Sequence, residues 1–375
     1  MTAWQQIALG EVLHLHYGKA LDPALRDPDG SVPVYGANGI KNYAAVSLTT
    51  GPVLVIGRKG SAGEVTRVDG SLWPLDVTYY TEHDKEKVDF DFLEYLLRVL
   101  DLPALAKGVK PGINRNDVYA LQVSLPSLVE QKQIVALLDQ AFAALDHASL
   151  NAEASVADTR SLFDGALREH LNNFANGEAQ ASLAEMCRTI VDCEHKTAPV
   201  SKTGYPSIRT PNIGKGVLDL EGVYRVSDPI YRKWTKRAVP EPGDLIMARE
   251  APAGNVAVIP QGERVCLGQR TLLIKPDSGT TVPHFLAFLL LHPVMQERLL
   301  SKSTGATVQH VNMKDIRLLP MPALPPLVMQ RQVVEALERI RETANKLVQK
   351  ANKRLDDIAA LRQSLLYAAF SGQLT

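Results

Sequence analysis

Two ordered series of short motifs run through this 375-residue chain, one in each half. Gln131-Lys132-Gln133-Ile134-Val135 returns as Gln330-Arg331-Gln332-Val333-Val334. Phe92-Leu93-Glu94-Tyr95-Leu96-Leu97 returns as Phe285-Leu286-Ala287-Phe288-Leu289-Leu290. Arg58 with Ala62-Gly63-Glu64-Val65 matches Arg249 with Ala253-Gly254-Asn255-Val256, and Asn114 and Asp117 match Asn312 and Asp315. The offset drifts from 174 residues (Leu9 to Leu183) to 199 (Gln131 to Gln330), but the order never changes. Chance supplies single pairs, not an ordered series. The chain is a tandem duplication, and its fold must be two copies of one unit.

Each copy changes character once. Its first part carries Gly, Pro and short β-branched runs such as Val53-Leu54-Val55-Ile56 and Leu245-Ile246-Met247, the pattern of a mixed domain of short strands. The Phe92 and Phe285 segments read as short helices, and the prolines at Leu125-Pro126 and Leu324-Pro325-Pro326 close each domain. From about Val129 to Leu171 and from about Val328 to Phe370 there is no proline and almost no glycine. The second stretch places apolar residues at Val333, Leu337, Ile340, Ala344, Leu347, Ala351, Leu355, Ile358, Leu361 and Leu365, the seam of a coiled coil with one stutter near Ala351. The first repeats the pattern more weakly through Ile134, Leu138, Ala141, Leu145, Ala148, Ala152, Val156 and Phe163. Each helix would be roughly 65 Å long; the alternative is a pair of helices folded into one bundle core.

The expected fold is therefore α+β: two homologous mixed α/β domains at 1–126 and 181–325, and two long helical segments at 127–180 and 326–375. Formal charge is zero overall but unevenly spread: −3, −5, +5 and +3 over residues 1–126, 127–180, 181–325 and 326–375. An acidic helix and a basic one favour pairing with each other, as an antiparallel coiled coil of pseudo-two-fold symmetry. Neutrality of the whole argues against a free-standing nucleic-acid binder. The N-terminus lacks the basic and apolar regions of a signal peptide, and the longest apolar run, Phe285 to Leu291, is too short for a membrane span, so a cytoplasmic protein is expected.

Motifs of catalysis are missing. There is no phosphate-binding GxxxxGK[ST], no GxGxxG after a strand and no HExxH. Cys187, Cys193 and Cys266 form no CxxC pair and read as buried thiols. His14 and His16 fit one face of a strand better than a metal site. Asp192-Cys193-Glu194-His195-Lys196 holds an acid-x-Lys element but no placed upstream acid for cleavage. No catalytic residue, metal or cofactor is expected on this chain.

Both copies instead carry Gly-rich loops with basic, amide and aromatic side chains. Glycine permits close backbone approach, and Arg, Lys, Asn and Gln pair with base edges or phosphates. The candidates in the first copy are Tyr35, Asn38, Arg58, Lys59, Lys107, Lys110 and Asn114. Those in the second are Lys196, Arg209, Asn212, Arg249, Gln269, Arg270, Thr304, Gln309 and Asn312. Any one such loop alone is an ordinary solvated turn; their recurrence at matching positions points to binding.

The duplicated layout, the Gln131-Lys132-Gln133-Ile134-Val135 junction after a Pro-terminated strand and the closing Phe370-Ser371-Gly372-Gln373-Leu374 resemble the specificity subunit of type I restriction-modification enzymes. Asp192 to Pro199 followed by Gly204-Tyr205-Pro206-Ser207-Ile208-Arg209 is similar to the opening of one class of target-recognition domain in that family. One departure is Met329-Gln330 where the first copy has Glu130-Gln131. The resemblance implies a non-catalytic reader of a split, asymmetric sequence in double-stranded DNA. It also implies helices that set the half-site spacing and dock two methyltransferase subunits carrying S-adenosylmethionine, with translocating restriction subunits joining in some systems. Leu137, Leu162 and Leu167 are expected on the outer, partner-binding helix faces. Open alternatives are a type I-like methylation system without a nuclease, a coiled-coil scaffold that binds no DNA, and an enzyme.

Overall fold

The structure is a computed structural model that describes residues 4–301 and 310–373. Two compact units emerge. Unit 1 is Met1–Glu153 with Lys353–Thr375, and unit 2 is Ala154–Asn352. Each unit thus takes one domain together with a stretch of both long helices.

Among the described residues of unit 1, an antiparallel sheet runs in the order Leu13–Tyr17, Thr78–His83, Val53–Gly57, Val65–Val68. The central strand Val53–Gly57 is buried on both faces, as an uninterrupted apolar run should be. A second sheet joins Gly39–Ala44, Val32–Gly36, Ser71–Pro74 and Thr49–Thr50. The helix Phe90–Val99 starts at Asp89, whose carboxylate accepts from the amides of Asp91 and Phe92, both at 3.1 Å. Its buried face is Phe92, Leu93, Leu96 and Leu97.

Unit 2 repeats the plan. Its larger sheet runs Cys187–Asp192, Thr271–Pro276, Leu245–Ala248, Val256–Val258, Gly216–Val217. The helix Pro283–Leu291 has no polar face: Phe285 to Leu290 are all buried, which places it in the core of the unit rather than on its surface. In both units a short ribbon joins the beginning of the domain to its end, Gln5–Ala8 against Gln122–Leu125 and Ala179–Ser182 against Pro320–Pro322. The expected α+β class with two homologous domains and two long helices is the observed one.

The long helices are Leu128–Ala175 and Leu327–Phe370, 48 and 44 residues. In unit 1, Arg362 of the second helix is ion-paired with Asp146 of the first and lies 4.7 Å from the ring of Phe142. Gly372 beyond it approaches Trp4, whose indole donates to Glu130 at 2.9 Å, so the two segments run in opposite directions. In unit 2, Leu167 and Leu171 share a core with Leu337, while Thr159 and Phe163 border the same cleft as Ala344 and Val348, again antiparallel. Of the eighteen expected seam residues seven are buried, Ile134, Leu138, Ala152, Phe163, Leu337, Ala344 and Ala351, and nine more are half-buried. Leu347 and Leu361 are exceptions, 45% and 48% exposed. Beyond the stutter, the residues buried in the second helix are Leu366 and Ala369, because the stripe has moved round the helix.

The repeated glutamine marks the joint between domain and helix. Gln131 accepts from the amide of Asp89 at 2.8 Å and donates to the carbonyls of Lys87 and Pro126 at 2.8 and 2.9 Å. Gln330 accepts from the amide of Val282 at 2.7 Å and donates to the carbonyls of Thr280 and Pro325, both at 2.8 Å. Both side chains are fully buried. One primary amide satisfies one donor and two acceptors where the chain enters the short helix and leaves the closing strand. An acid in this place could not donate, and an apolar residue would orphan all three groups. Glu130 has a different task from capping: it holds Trp4, while Met329 in its place is half exposed.

Candidate nucleic-acid interface

In unit 1 three loops meet at the ends of the main sheet. The amide of Gly60 donates to Pro111 at 2.9 Å, and that of Ile113 donates to the carbonyl of Arg58 at 3.0 Å. Lys107 and Gly112 exchange backbone bonds at 2.9 and 3.1 Å. Gly57 lies under the tip of the Val32–Ala44 hairpin: a Cβ there would stand 3.0 Å from the Ala37 carbonyl and 2.0 Å from that of Ser61, so no side chain fits. This packing brings Arg58, Lys59, Lys107 and Lys110 together, with Asn38 exposed at the hairpin tip. Lys107, well solvated, pairs with the partly buried Asp117 at 2.8 Å.

At the centre is Tyr17, 45% exposed. The guanidinium carbons of Arg58 and Arg115 lie 5.2 and 5.0 Å from its ring centroid. A half-exposed aromatic face with two arginines above it offers stacking and charge at one place. Sequence pattern alone does not single out Tyr17 or Arg115. Arg115 follows Asn114 directly, and that position was its only signal. Asn114 is committed to the fold: it starts the helix Arg115–Tyr119 and accepts from the Asn116 amide at 2.9 Å. Tyr35 is half buried, and burial lifts its phenol above the ordinary range.

The backbone of unit 2 repeats the bonds made by Arg58. Arg58 and Arg249 each donate their amide to the turn before the last strand of the sheet, at 2.8 Å to Val77 and 2.9 Å to Arg270. Each accepts, through its carbonyl, from the residue before Asn114 or Asn312, at 3.0 and 3.2 Å. The side chains part company. Arg249 is 6% exposed, and its Nη1 donates to both oxygens of Asp192 at 2.9 and 2.8 Å. Its Nε donates to the carbonyl of Val311 at 3.1 Å, and Nη2 meets His310 Nε2 at 3.1 Å. His310 Nε2 is then an acceptor, so the proton sits on Nδ1 and is shared with Glu250 at 2.6 Å. Glu250 also holds Arg270 at 3.0 Å, and Asp192 holds His195 at 2.9 Å. A continuous network runs from His195 to Arg270. His195 and Arg270 have φ of +50° and +68°, backbone that a side chain adopts only when its surroundings hold it.

The structure corrects three expectations of exposure. Arg249 is not available on the surface, because a carboxylate at the end of the first strand captures it. Asn212 is buried; it accepts from the Arg209 amide at 3.1 Å and donates to the Asp219 carbonyl at 3.3 Å. Leu167 is 2% exposed, since it lies four residues from both Phe163 and Leu171 on the inward stripe. Leu137 and Leu162 do face outward, at 48% and 58%. Arg209 covers the ring of Tyr224 at 3.8 Å, Gln269 accepts from Thr197 at 3.3 Å, and Lys196 and Asn312 are exposed. Thr304 and Gln309 lie outside the described residues.

Asp192, Cys193 and His195 bring their ligand atoms within 4.8 Å of one another. Arg249 already occupies both oxygens of Asp192 and adds a positive charge, so the arrangement favours an ion-pair network over a cation. Cys193 and Cys266 are buried as expected, whereas Cys187 is partly exposed; desolvation raises the thiols of Cys187 and Cys266 to about 12 and about 11, which leaves them protonated and unreactive. Among the described residues no helix is long and apolar enough to cross a membrane.

A family model described as "Type I restriction modification DNA specificity domain" matches residues 1–154 and again residues 193–356. The chain is 22% identical over 400 residues to the type I restriction enzyme EcoDI specificity subunit of Escherichia coli, covering 99% of this chain and 89% of that protein. It is 28% identical over 174 residues to the EcoBI specificity subunit of the same organism, covering 46% of this chain but only 36% of that one. Among solved structures, a chain from work on complex assembly and conformational transition of the type I R-M system aligns with a TM-score of 0.73 at 20% identity, over 100% of this chain and 99% of that chain. The HsdS subunit from Thermoanaerobacter tengcongensis aligns at 0.56 and 20%, over 100% and 98%. At these identities the structural likeness is one of fold.

Proposed function

The chain belongs to the family of type I restriction-modification DNA specificity domains, which it carries twice, and on that premise we propose that it is the DNA-recognition subunit of a type I restriction-modification complex. Each unit reads one half of a bipartite, asymmetric site in double-stranded DNA. The observation that supports this best is the pair of loop clusters built on matching backbone bonds around Arg58 and Arg249 but furnished with different side chains. One scaffold used twice with different fittings suits two different half-sites. Unit 1 would read through Asn38, Arg58, Lys59, Lys110 and Arg115, and unit 2 through Lys196, Arg209, Gln269, Arg270 and Asn312. Thr304 and Gln309 stay candidates from the sequence.

The chain reads and does not itself react. Methyl transfer belongs to two partner subunits that bind S-adenosylmethionine and dock on the long helices, where Leu137 and Leu162 expose apolar surface. Translocating restriction subunits join that assembly, and a reader of chromosomal DNA works in the cytoplasm. Partner surfaces also supply positive charge that this neutral chain lacks. Co-expression with a type I methyltransferase subunit, followed by mapping of methylated adenines, tests the reading. A split, asymmetric motif that vanishes when this chain is deleted is expected. Methylation that persists without the chain overturns it.

A further inference from the structure

The second domain contains a helix for which the first has no counterpart. From Leu9 to Arg58 is 49 residues, whereas from Leu183 to Arg249 is 66, and the added length includes the helix Asp228–Trp234. Residues 225–237 hold Arg225, Arg232, Lys233, Lys236 and Arg237 against one carboxylate, Asp228. That is four of the five net positive charges of the whole domain.

The fold uses only part of this charge. Arg225 donates to the Gly204 carbonyl at 2.8 Å, and Arg237 donates to the carbonyls of Asp192 and Cys193 at 3.3 and 3.0 Å. Arg237 also faces Glu194 at 3.5 Å. These two are structural, and Arg237 ties the segment to the corner where Asp192, His195 and Lys196 stand. Among the described residues Arg232 pairs with Asp228 alone, one turn back at 2.7 Å, and its side chain stays 78% exposed. Lys233 lies loosely by Trp234 at 5.8 Å, and Lys236 is exposed with no partner among the described residues. One cation at the end of a helix is favoured by the helix dipole, but three crowded within five residues repel each other.

We propose that Arg232, Lys233 and Lys236 form a phosphate-binding face that holds the DNA backbone beside the reading loops of unit 2. The proposal rests on the reading of the chain as a DNA-recognition subunit. A run of exposed cations suits a duplex, whose phosphates recur at short intervals along each strand. A protein partner fits it less well, since lysine is depleted from protein interfaces and aromatic and apolar anchors are enriched there. Contacts of this kind position the protein without reading sequence. The face would give the second domain an affinity for duplex DNA that does not depend on the half-site.

The test is equilibrium binding of the full chain to a labelled random-sequence duplex over a range of salt concentrations, for the natural protein and for a variant carrying Arg232→Gln, Lys233→Gln and Lys236→Gln. Three lost phosphate contacts make the plot of log K against log salt shallower by about 2.7, at about 0.9 per contact. Lys233→Arg alone keeps the natural slope, and in the assembled complex the triple variant methylates the same motif as before. An unchanged slope in a variant whose melting temperature is also unchanged overturns the proposal. So does a variant that binds duplex normally but no longer holds the methyltransferase, because the face would then be a protein dock. If the natural chain and its complex show no DNA binding at all, the underlying reading fails instead.

Discussion

Nη1 of Arg249 donates to both oxygens of Asp192, at 2.9 and 2.8 Å, in a place where only 6% of the arginine meets solvent. At the same place in unit 1, Arg58 has Tyr17 for a neighbour. Strand register makes the two neighbours equivalent: Tyr17 pairs with Tyr79, and Asp192 with Leu272, each one residue after the threonine opposite Gly57 or Ala248. A ring leaves a guanidinium free to meet another molecule, and a carboxylate does not.

Replacing the two arginines therefore has opposite signatures. Arg249→Ala strands a partly buried carboxylate and costs about 3–5 kcal/mol of stability, read from urea unfolding. Arg58→Ala leaves the melting temperature nearly unchanged and weakens DNA binding by about 1–3 kcal/mol if it reads a base, and by less if it meets only phosphate. Equal stability losses in both variants would contradict this division.

The buried glutamines are predicted to be intolerant of change. Gln131→Ala or Gln330→Ala orphans an amide and two carbonyls, and each should cost roughly 2–4 kcal/mol. Gln131→Glu should be no milder, because a carboxylate cannot donate to the carbonyls of Lys87 and Pro126. Unfolding midpoints of the three variants against the natural chain decide the matter.

Acid should destabilise the protein before its carboxylates titrate. Burial holds the imidazoles of His83, His284 and His292 below their ordinary range, so the unfolded chain takes up protons that the folded chain refuses. Their contribution is complete above about pH 6.5 and is lost as the pH falls. Urea midpoints should drop between neutral pH and about pH 5, and His284→Gln should flatten the slope. Midpoints constant over that range would contradict the assignment.

The length of the first long helix should set the spacer between half-sites. Four residues inserted after Ala152 lengthen a helix by about 6 Å, which corresponds to about one to two base pairs of duplex. Mapping the methylated motif of the insertion variant should show unchanged half-sites with a longer spacer. Retained methylation with the old spacer would remove the helix from that role.

By itself, the sequence settled what depends on order and period. The duplication is legible because Gln131 and Gln330, or Arg58 and Arg249, recur in one unbroken series. The long helices are legible because a proline-free apolar repeat has one local solution. The α+β class follows from short apolar runs broken by Gly and Pro. Tertiary structure alone decided which candidate side chains are free. Arg58 and Arg249 are identical residues at matched backbone positions, and their fates diverge through Tyr17 and Asp192, 41 and 57 residues away in the chain. Leu162 and Leu167 sit on one helix only five residues apart, yet one faces solvent and the other a core completed by residues from Pro283–Leu291 and the second long helix. Burial and ion pairing are set by neighbours distant in the chain, and a one-dimensional pattern does not contain them.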